Sequence, residues 1–195
     1  MSYTHPEYLI STEALADAMQ TDPDRMRLFD ITVNLVPNPP GYKAVSGLED
    51  FQKEHIPGAN FLDLMKDFSD TSSKFNFMLP SVEHLQAAYR AAGISDDSQV
   101  VFYSSGHMMW ATRAWWMLYS CGHKNVAVLD GSFARWQEDD RAVTSDATSF
   151  LPVTLMLHSI PRAGRIRRRR QQQSMMQAPA LLTRCPLVCI PAKQK

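Results

Sequence analysis

The residues best suited to binding or catalysis form a polar loop at positions 104–109, directly after the apolar run 99–103. The loop reads Ser-Ser-Gly-His-Met-Met, and a segment with helical spacing follows it. A strand that ends in such a loop before a helix can bind an anion through backbone N–H groups at the helix N-terminus. An ordinary polar connection with a satisfied helix cap fits the same residues equally well. The candidate anion-binding residues are Ser104, Ser105, Gly106, His107, Met108, Met109 and Arg113.

Two of these side chains have further interpretations. His107 could act as a base for Ser104 or Ser105, which would make the loop a hydrolase site. The sequence has no G-x-S-x-G motif and no evident acid to orient the histidine, so it favours a surface loop histidine. Arg113 could bring positive charge to an anion, or it could pair with an acidic neighbour such as Asp130.

Short apolar runs alternate with helical patterns along the first 146 residues. The predicted elements are strands at 27–33, 60–64, 99–103 and 125–129, and helices that begin after Ser11, at Ser81, at Met109 and near Phe133. Strands without polar alternation are typical of sheets that are covered on both faces. This order predicts an α/β fold with a central parallel sheet and helices on both faces. Chemistry in such folds lies at the carboxyl ends of the strands, where the polar loop is placed.

Four motifs occur in a characteristic order. They are HIPGA at 55–59, MLPS at 78–81, VVFY at 100–103 with ATRAWW at 111–116, and CGHKNVAVLDGSFARW at 121–136. Together they resemble the rhodanese-like family, and more narrowly the N-terminal, non-catalytic domain of two-domain thiosulfate and 3-mercaptopyruvate sulfurtransferases. The resemblance runs from about Tyr8 to about Thr144 and implies a rhodanese-like domain.

The resemblance also implies a mechanism that this chain lacks the means to perform. In active members, a cysteine after the central strand takes a sulfane sulfur from a donor as a persulfide and passes it to an acceptor. The matching position here is Ser104, and an alcohol cannot carry that sulfur, so we expect no catalytic residue in this chain.

In two-domain members the reactive cysteine belongs to the second domain. The resemblance then makes His55 and Tyr103 accessory residues at the domain interface, near the partner domain's active site. The alternatives are a turn histidine whose ring bonds to backbone and a strand-end core tyrosine with a satisfied hydroxyl.

The charge distribution divides the chain near residue 147. All 20 acidic residues lie in 1–146 with 11 basic ones, a net charge of −9, and the remaining nine basic residues follow. We predict a rhodanese-like domain at 1–146 and a basic, low-order tail at 147–195, resembling a frameshifted or truncated second domain. The arginines at 165–170 have no interleaved aromatic side chain to stack on bases, which argues against nucleic-acid binding.

The three cysteines are predicted to have no catalytic or metal-binding role. Cys121 lies at a predicted helix C-terminus, where the dipole disfavours a thiolate, and we interpret it as a packing residue. Cys185 and Cys189 lack the spacing of a zinc site and have no nearby histidine, so the sequence indicates no metal and no cofactor. No apolar stretch approaches the ~20 residues that cross a membrane, and no targeting segment is evident, so we expect a cytoplasmic location without membrane contact.

Two functions remain. The first is a sulfurtransferase-family protein, acting between thiosulfate or 3-mercaptopyruvate and a thiophilic acceptor, that is silent alone because its cysteine sits on a missing or separate catalytic rhodanese domain. The second is a non-catalytic rhodanese-like module that binds a small sulfur-containing anion or a protein through 104–109. If the second domain is absent, an exposed apolar face predicts self-association.

Overall fold

A five-stranded parallel sheet forms the centre of the domain. The described residues contain seven strands, of which five form this sheet. They are β1 (Leu9–Ile10), β2 (Met26–Asp30), β3 (Val33–Asn38), β4 (Gly41–Ser46), β5 (Ala59–Phe61), β6 (Gln99–Tyr103) and β7 (Val126–Leu129). The sheet has the order β1-β7-β6-β2-β5, whereas β3 and β4 form a separate antiparallel hairpin. This computed structural model describes residues 4–148 and 150–157. Because β2 leads to β5 at one edge and β6 leads to β7 on the other side, the connections diverge between β2 and β6.

Helices cover both faces of the sheet. They are α1 (Thr12–Thr21), α2 (Leu48–Lys53), α3 (Val82–Ala91), α4 (Met109–Ser120) and α5 (Ser132–Glu138), after a short 3₁₀ helix at Pro6–Tyr8. The side chains of β6 alternate between two apolar clusters. Val100 and Phe102 pack with residues of α3 and α4, while Val101 and Tyr103 pack with residues of α1, α2 and α5. Both faces of the strand are therefore buried, as its unbroken apolar sequence predicts.

The predicted α/β fold is confirmed, and so are several of its elements. The central strand β6 and the helix α4 have the predicted bounds. Ser11 and Ser81 cap α1 and α3, since their hydroxyl oxygens accept hydrogen bonds from Ala14 N (3.1 Å) and His84 N (3.2 Å). These caps satisfy backbone donors that have no partner within the helix.

The predicted strand at 27–33 is wrong at its C-terminal end. β2 stops at Asp30, because the Asp30 side chain accepts a hydrogen bond from Thr32 N (2.8 Å) and the chain turns there. Val33 then opens the β3–β4 hairpin, which the sequence analysis did not predict, and α2 was missed as well. The predicted strand at 60–64 is also too long, since β5 ends at Phe61.

Residues 142–148 and 150–157, which we call the C-terminal strap, pack on the domain. Leu155 and Leu157 are buried in the cluster formed with α3 and α4, and Phe150 packs against that cluster. Packing therefore extends past the predicted boundary at residue 146. The remainder of the predicted tail, with its arginine cluster, Cys185 and Cys189, lies outside the described residues. Within the described ranges, no helix is both long enough and apolar enough to cross a bilayer.

Candidate functional site

The candidate site lies where β2 and β6 end side by side. Asp30 and Tyr103 are partners in the register of these two strands. The residues that follow them, Thr32 and Ser104, therefore meet at the carboxyl edge, and their hydroxyl oxygens lie 3.3 Å apart. The edge between β2 and β6 is also the point from which the connections diverge, which is where ligands bind in open α/β sheets.

A buried polar network supports the loop from below. Oδ1 of Asp30 accepts hydrogen bonds from both the backbone N–H (2.8 Å) and the hydroxyl (2.5 Å) of Thr32, and Oδ2 accepts one from the Ser105 hydroxyl (3.1 Å). Asp30 is fully buried, and this burial raises the pKa of its carboxyl group even though the hydrogen bonds from Thr32 and Ser105 act in the opposite direction. The network fixes the loop to the end of β2.

Most N–H donors of the loop are already bonded within the protein. Ser104 N donates to Ser132 Oγ (3.3 Å), Ser105 N to Thr32 Oγ1 (2.7 Å), and Gly106 N to Ser104 Oγ (3.1 Å). Met109 N donates to Nδ1 of His107 (3.1 Å). An anion that used these donors would have to displace protein oxygen or nitrogen atoms from them.

Ser104 occupies the centre of this arrangement. Its side chain is fully buried, and its oxygen accepts from Gly106 N and lies beside the Thr32 hydroxyl. The Ser132 hydroxyl donates to the Ser104 carbonyl, which ties the loop to the start of α5 as well. Ser104, the position that the family resemblance matches to a nucleophile, thus has a buried hydroxyl group in a hydrogen-bonded loop.

The other loop residues are not arranged for acid–base chemistry. His107 is exposed, and its Nδ1 accepts the hydrogen bond from Met109 N; among the described residues it makes no bond to Ser104 or Ser105. This geometry does not favour a serine hydrolase, which needs a histidine within hydrogen-bond reach of the serine. Met108 and Met109 are partly exposed at the loop surface.

Among the described residues, Arg113 bonds to the segment between β5 and α3 and not to the loop. Its Nη2 donates to the carbonyl oxygen of Phe77 (2.6 Å), and within the described residues it forms no ion pair with Asp130. Burial lowers the pKa of its guanidinium group. Arg113 therefore anchors the segment between β5 and α3. Its Nη2 is bonded to Phe77 and not to a residue of the loop.

His55 and Tyr103 are both buried. The ring nitrogens of His55 lie near two carbonyl oxygens, Nδ1 at 2.7 Å from that of Phe51 and Nε2 at 3.1 Å from that of Asp146. The Tyr103 hydroxyl accepts a hydrogen bond from Ile56 N (3.4 Å), and burial, with the nearby Asp30 carboxylate, holds the pKa of this phenol well above its usual range. Neither side chain is presented on the surface, so the geometry favours the core alternatives over accessory interface roles.

Cys121 is the only cysteine in the part of the chain that the structure describes. It lies at the C-terminal end of α4, fully buried among apolar side chains. Burial raises the pKa of its thiol to about 11. A thiol that is neutral at physiological pH and shielded from solvent lacks the thiolate character that a sulfur acceptor needs.

Exposed large apolar side chains lie on the connections that follow β2, β5 and β6, and we call this set the apolar rim. These connections leave the sheet at its carboxyl edge because the strands are parallel. The side chains are those of Leu35, Val36, Tyr42 and Val45 of the hairpin, Phe75, Met78 and Leu79 of the segment before α3, and Met108 and Met109 of the loop. Monomeric proteins rarely expose a large contiguous apolar patch without an interaction partner.

Three residues that build this site were not predicted from the sequence. Asp30, Thr32 and Ser132 hold the loop in place, but each lies far from it along the chain. A signal was present only for Ser132, which follows the predicted strand at 125–129, because Asp30 and Thr32 lie inside the predicted strand at 27–33. Polar residues at such strand ends meet at one edge of the sheet.

Comparisons of sequence and of structure with known proteins relate this chain to the same family. The model of the rhodanese-like domain matches residues 12–139. Thiosulfate sulfurtransferase from Gallus gallus is 38% identical over 100 residues, which cover 50% of this chain and 34% of that protein. The 3-mercaptopyruvate sulfurtransferase of Escherichia coli K12 is 38% identical over 101 residues, or 52% of this chain and 36% of that protein.

A solved structure extends the comparison. That of SseA from Escherichia coli, reported in a study of 3-mercaptopyruvate sulfotransferases, matches with a TM-score of 0.66 and 26% identity, covering 78% of this chain and 55% of that one. The chain spans about a third of the length of the curated relatives above. With the parallel sheet, the strand-end loop and the match over residues 12–139, the chain belongs to the rhodanese-like family.

Proposed function

We propose that this chain is the non-catalytic half of a sulfurtransferase of the thiosulfate or 3-mercaptopyruvate type, and that it transfers no sulfur by itself. The nucleophilic cysteine comes from a second rhodanese-like domain, either on a longer polypeptide or on another chain. The protein acts in the cytoplasm, without cofactor, membrane or nucleic acid.

The observation that carries this proposal is the environment of Ser104. Sulfur transfer requires a thiolate that attacks the donor's transferable sulfur atom, forms a new S–S bond and releases the rest of the donor. The hydroxyl of Ser104 cannot form that bond, and it is buried beneath Gly106 and Thr32. Cys121, the only described thiol, lies at the opposite end of α4 from the loop.

The apolar rim supports a partner domain as the missing component. It includes Met108 and Met109 of the loop and exposed residues of the hairpin, so a partner domain that packs on this edge would cover apolar side chains. About half of the SseA chain also has no counterpart here, which leaves room for a domain of similar size.

The alternative is a rhodanese-like module that binds a small anion or a protein through the loop. The anion-binding form has less support, because four loop donors are bonded to Ser132, Thr32, Ser104 and His107. The protein-binding form shares the apolar rim with the main proposal. It differs only in requiring no cysteine on the partner.

The decisive experiment is a sulfurtransfer assay on the purified chain with thiosulfate and cyanide, and with 3-mercaptopyruvate and a thiol. We expect no turnover and no sulfur added to the protein in its intact mass. The Cys121→Ser variant and a Cys185→Ser/Cys189→Ser double variant are assayed beside it. Activity that disappears in either variant would overturn the proposal and identify the acting thiol.

A further inference from the structure

We propose that His55 is a clasp for the C-terminal strap, so that it acts as a positioning residue of the fold and does not line a catalytic site. The inference does not depend on the proposed function. His55 is the first residue of the HIPGA motif at 55–59, and within the described ranges its ring makes no hydrogen bond to the candidate loop.

The ring of His55 joins two segments that are distant along the chain. It stacks on Phe51 of α2, with ring centroids 3.9 Å apart and planes inclined by 15°. Nδ1 lies 2.7 Å from the carbonyl oxygen of Phe51, and Nε2 lies 3.1 Å from that of Asp146. With a relative exposure of 1%, the ring is enclosed by α2 on one side and by the strap on the other.

The backbone of His55 holds the same segment. His55 N donates to the carbonyl oxygen of Thr144 (2.8 Å), and Thr144 N donates to that of His55 (2.9 Å). This pair is an isolated antiparallel bridge outside the named strands. Ring and backbone of one residue therefore fix residues 144 and 146, immediately before the strap crosses to the other face of the sheet.

The part of the strap that follows completes the core on that face. Phe150 packs edge-on against Phe29 (5.8 Å between centroids), and the Arg27 guanidinium lies 4.7 Å from its ring centroid. Gly93, with φ of +79°, leaves space that a Cβ would take from Phe150. The start of the strap determines whether these side chains can reach their positions.

Hydrogen bonds between the strap backbone and residues of α3 hold the end of the strap. Val153 N donates to the Arg90 carbonyl oxygen (3.2 Å), and Arg90 Nε donates to that of Leu155 (2.8 Å). Leu157 N donates to Oε1 of Gln86 (2.9 Å). The strap thus has two anchors, the His55 clasp and the α3 contacts. Ser145 and Thr148 of the strap line a cavity of about 390 Å³ beside α2, together with Phe51 and His55.

The test is hydrogen exchange, measured by mass spectrometry on the full chain and on its His55→Ala variant. We expect the amides at 144–157 to exchange roughly tenfold faster in the variant, since it loses the ring contacts of the clasp, while those of β6 and α4 stay unchanged. His123→Ala is the matched control. His123 is also buried, with Nε2 3.0 Å from the carbonyl oxygen of Ser98, and among the described residues its ring makes no hydrogen bond to the strap.

An unchanged strap in His55→Ala, or a uniform rise across the whole domain, would overturn the proposal. If this variant does not fold, Thr144→Pro decides, because it removes the N–H that donates to His55 and leaves the ring intact. Faster exchange confined to the strap then supports the clasp, and an unchanged strap contradicts it.

Chemical labelling provides an independent readout. With diethyl pyrocarbonate, we expect the exposed His107 to be modified at least tenfold faster than His55. Equal rates would show that the His55 ring is accessible, as a residue lining a partner's site would be.

Discussion

The hydroxyl of Ser105 donates a 3.1 Å hydrogen bond to Oδ2 of Asp30, a fully buried carboxyl group at the end of the neighbouring strand. This contact joins the candidate loop to β2 across 75 residues of sequence. It holds the loop against the end of β2.

Replacing Asp30 by alanine should destabilise the domain. The change leaves the Thr32 N–H, the Thr32 hydroxyl and the Ser105 hydroxyl without their buried acceptor. Unsatisfied buried donors cost about 1–3 kcal/mol, so we expect at least that loss in the free energy of unfolding measured with urea. Asp50→Ala is the control, since Asp50 is half-exposed. Equal losses in the two variants would contradict the role of the network.

The Asp30→Asn variant should reveal the pH dependence of this site. Because burial raises the pKa of Asp30 in the folded state, the folded protein retains this proton at pH values where the unfolded chain, with a pKa of about 3.9, has lost it. Stability linked to Asp30 is therefore greatest in acid and falls as pH rises from about 4 through the folded pKa. The asparagine variant lacks this titration.

We accordingly expect the stability of Asp30→Asn relative to the native chain to improve between pH 4 and pH 7. Urea denaturation of both proteins at these two pH values measures the change. A relative stability that is constant, or that worsens with rising pH, would show that burial does not raise the pKa of Asp30.

Cys121 should be unreactive in the folded protein. Its thiol is buried, and its pKa is raised to about 11, so little thiolate exists near neutral pH. In a Cys185→Ser/Cys189→Ser background, we expect a disulfide reagent to titrate one thiol in denaturant and almost none without it. Rapid labelling of the folded chain would instead mean that this end of α4 opens readily.

The Asn60 side chain should protect the exposed edge of the sheet. β5 is an edge strand, and because Leu62 N donates to Asp30 on β2, the Phe61 N–H points outward, where Asn60 Oδ1 accepts it at 2.8 Å. The Asn60→Ala variant frees this donor for pairing with another chain. We expect faster aggregation on heating, measured by light scattering, and no such increase in Asn125→Ala, whose amide bonds to Ser98 away from the edge.

The apolar rim should cause self-association of the chain when no partner domain covers it. We expect sedimentation at high concentration to show dimers or larger species, and the Leu35→Ser/Tyr42→Ser variant to shift the population toward monomer. Leu151→Ser is the matched control, because Leu151 is 84% exposed and its backbone oxygen lies near Gly93, just after the C-terminal end of α3. A monomeric native chain would remove the support that the rim gives to a partner domain.

The sequence by itself determined the architecture and the identity of the residue after β6. Apolar runs of strand length alternate with capped amphipathic helices along the sequence. Buried parallel strands can be recognised because both of their faces must be apolar. Ser11, Ser81, Gln99–Tyr103 and Met109–Ser120 were therefore predicted correctly. The sequence also shows directly that residues 104–109 contain no cysteine.

Only the tertiary structure decided what surrounds that loop. Asp30, Thr32 and Ser132 approach Ser104 and Ser105 because parallel strands bring distant residues to one edge, and no local pattern encodes which donor meets which acceptor. The same holds for His55, whose motif suggests a site but whose ring is enclosed by Phe51 and the strap. Hydrogen-bond partners and burial are properties of the packed chain, so they follow from the fold and cannot be predicted from residue type alone.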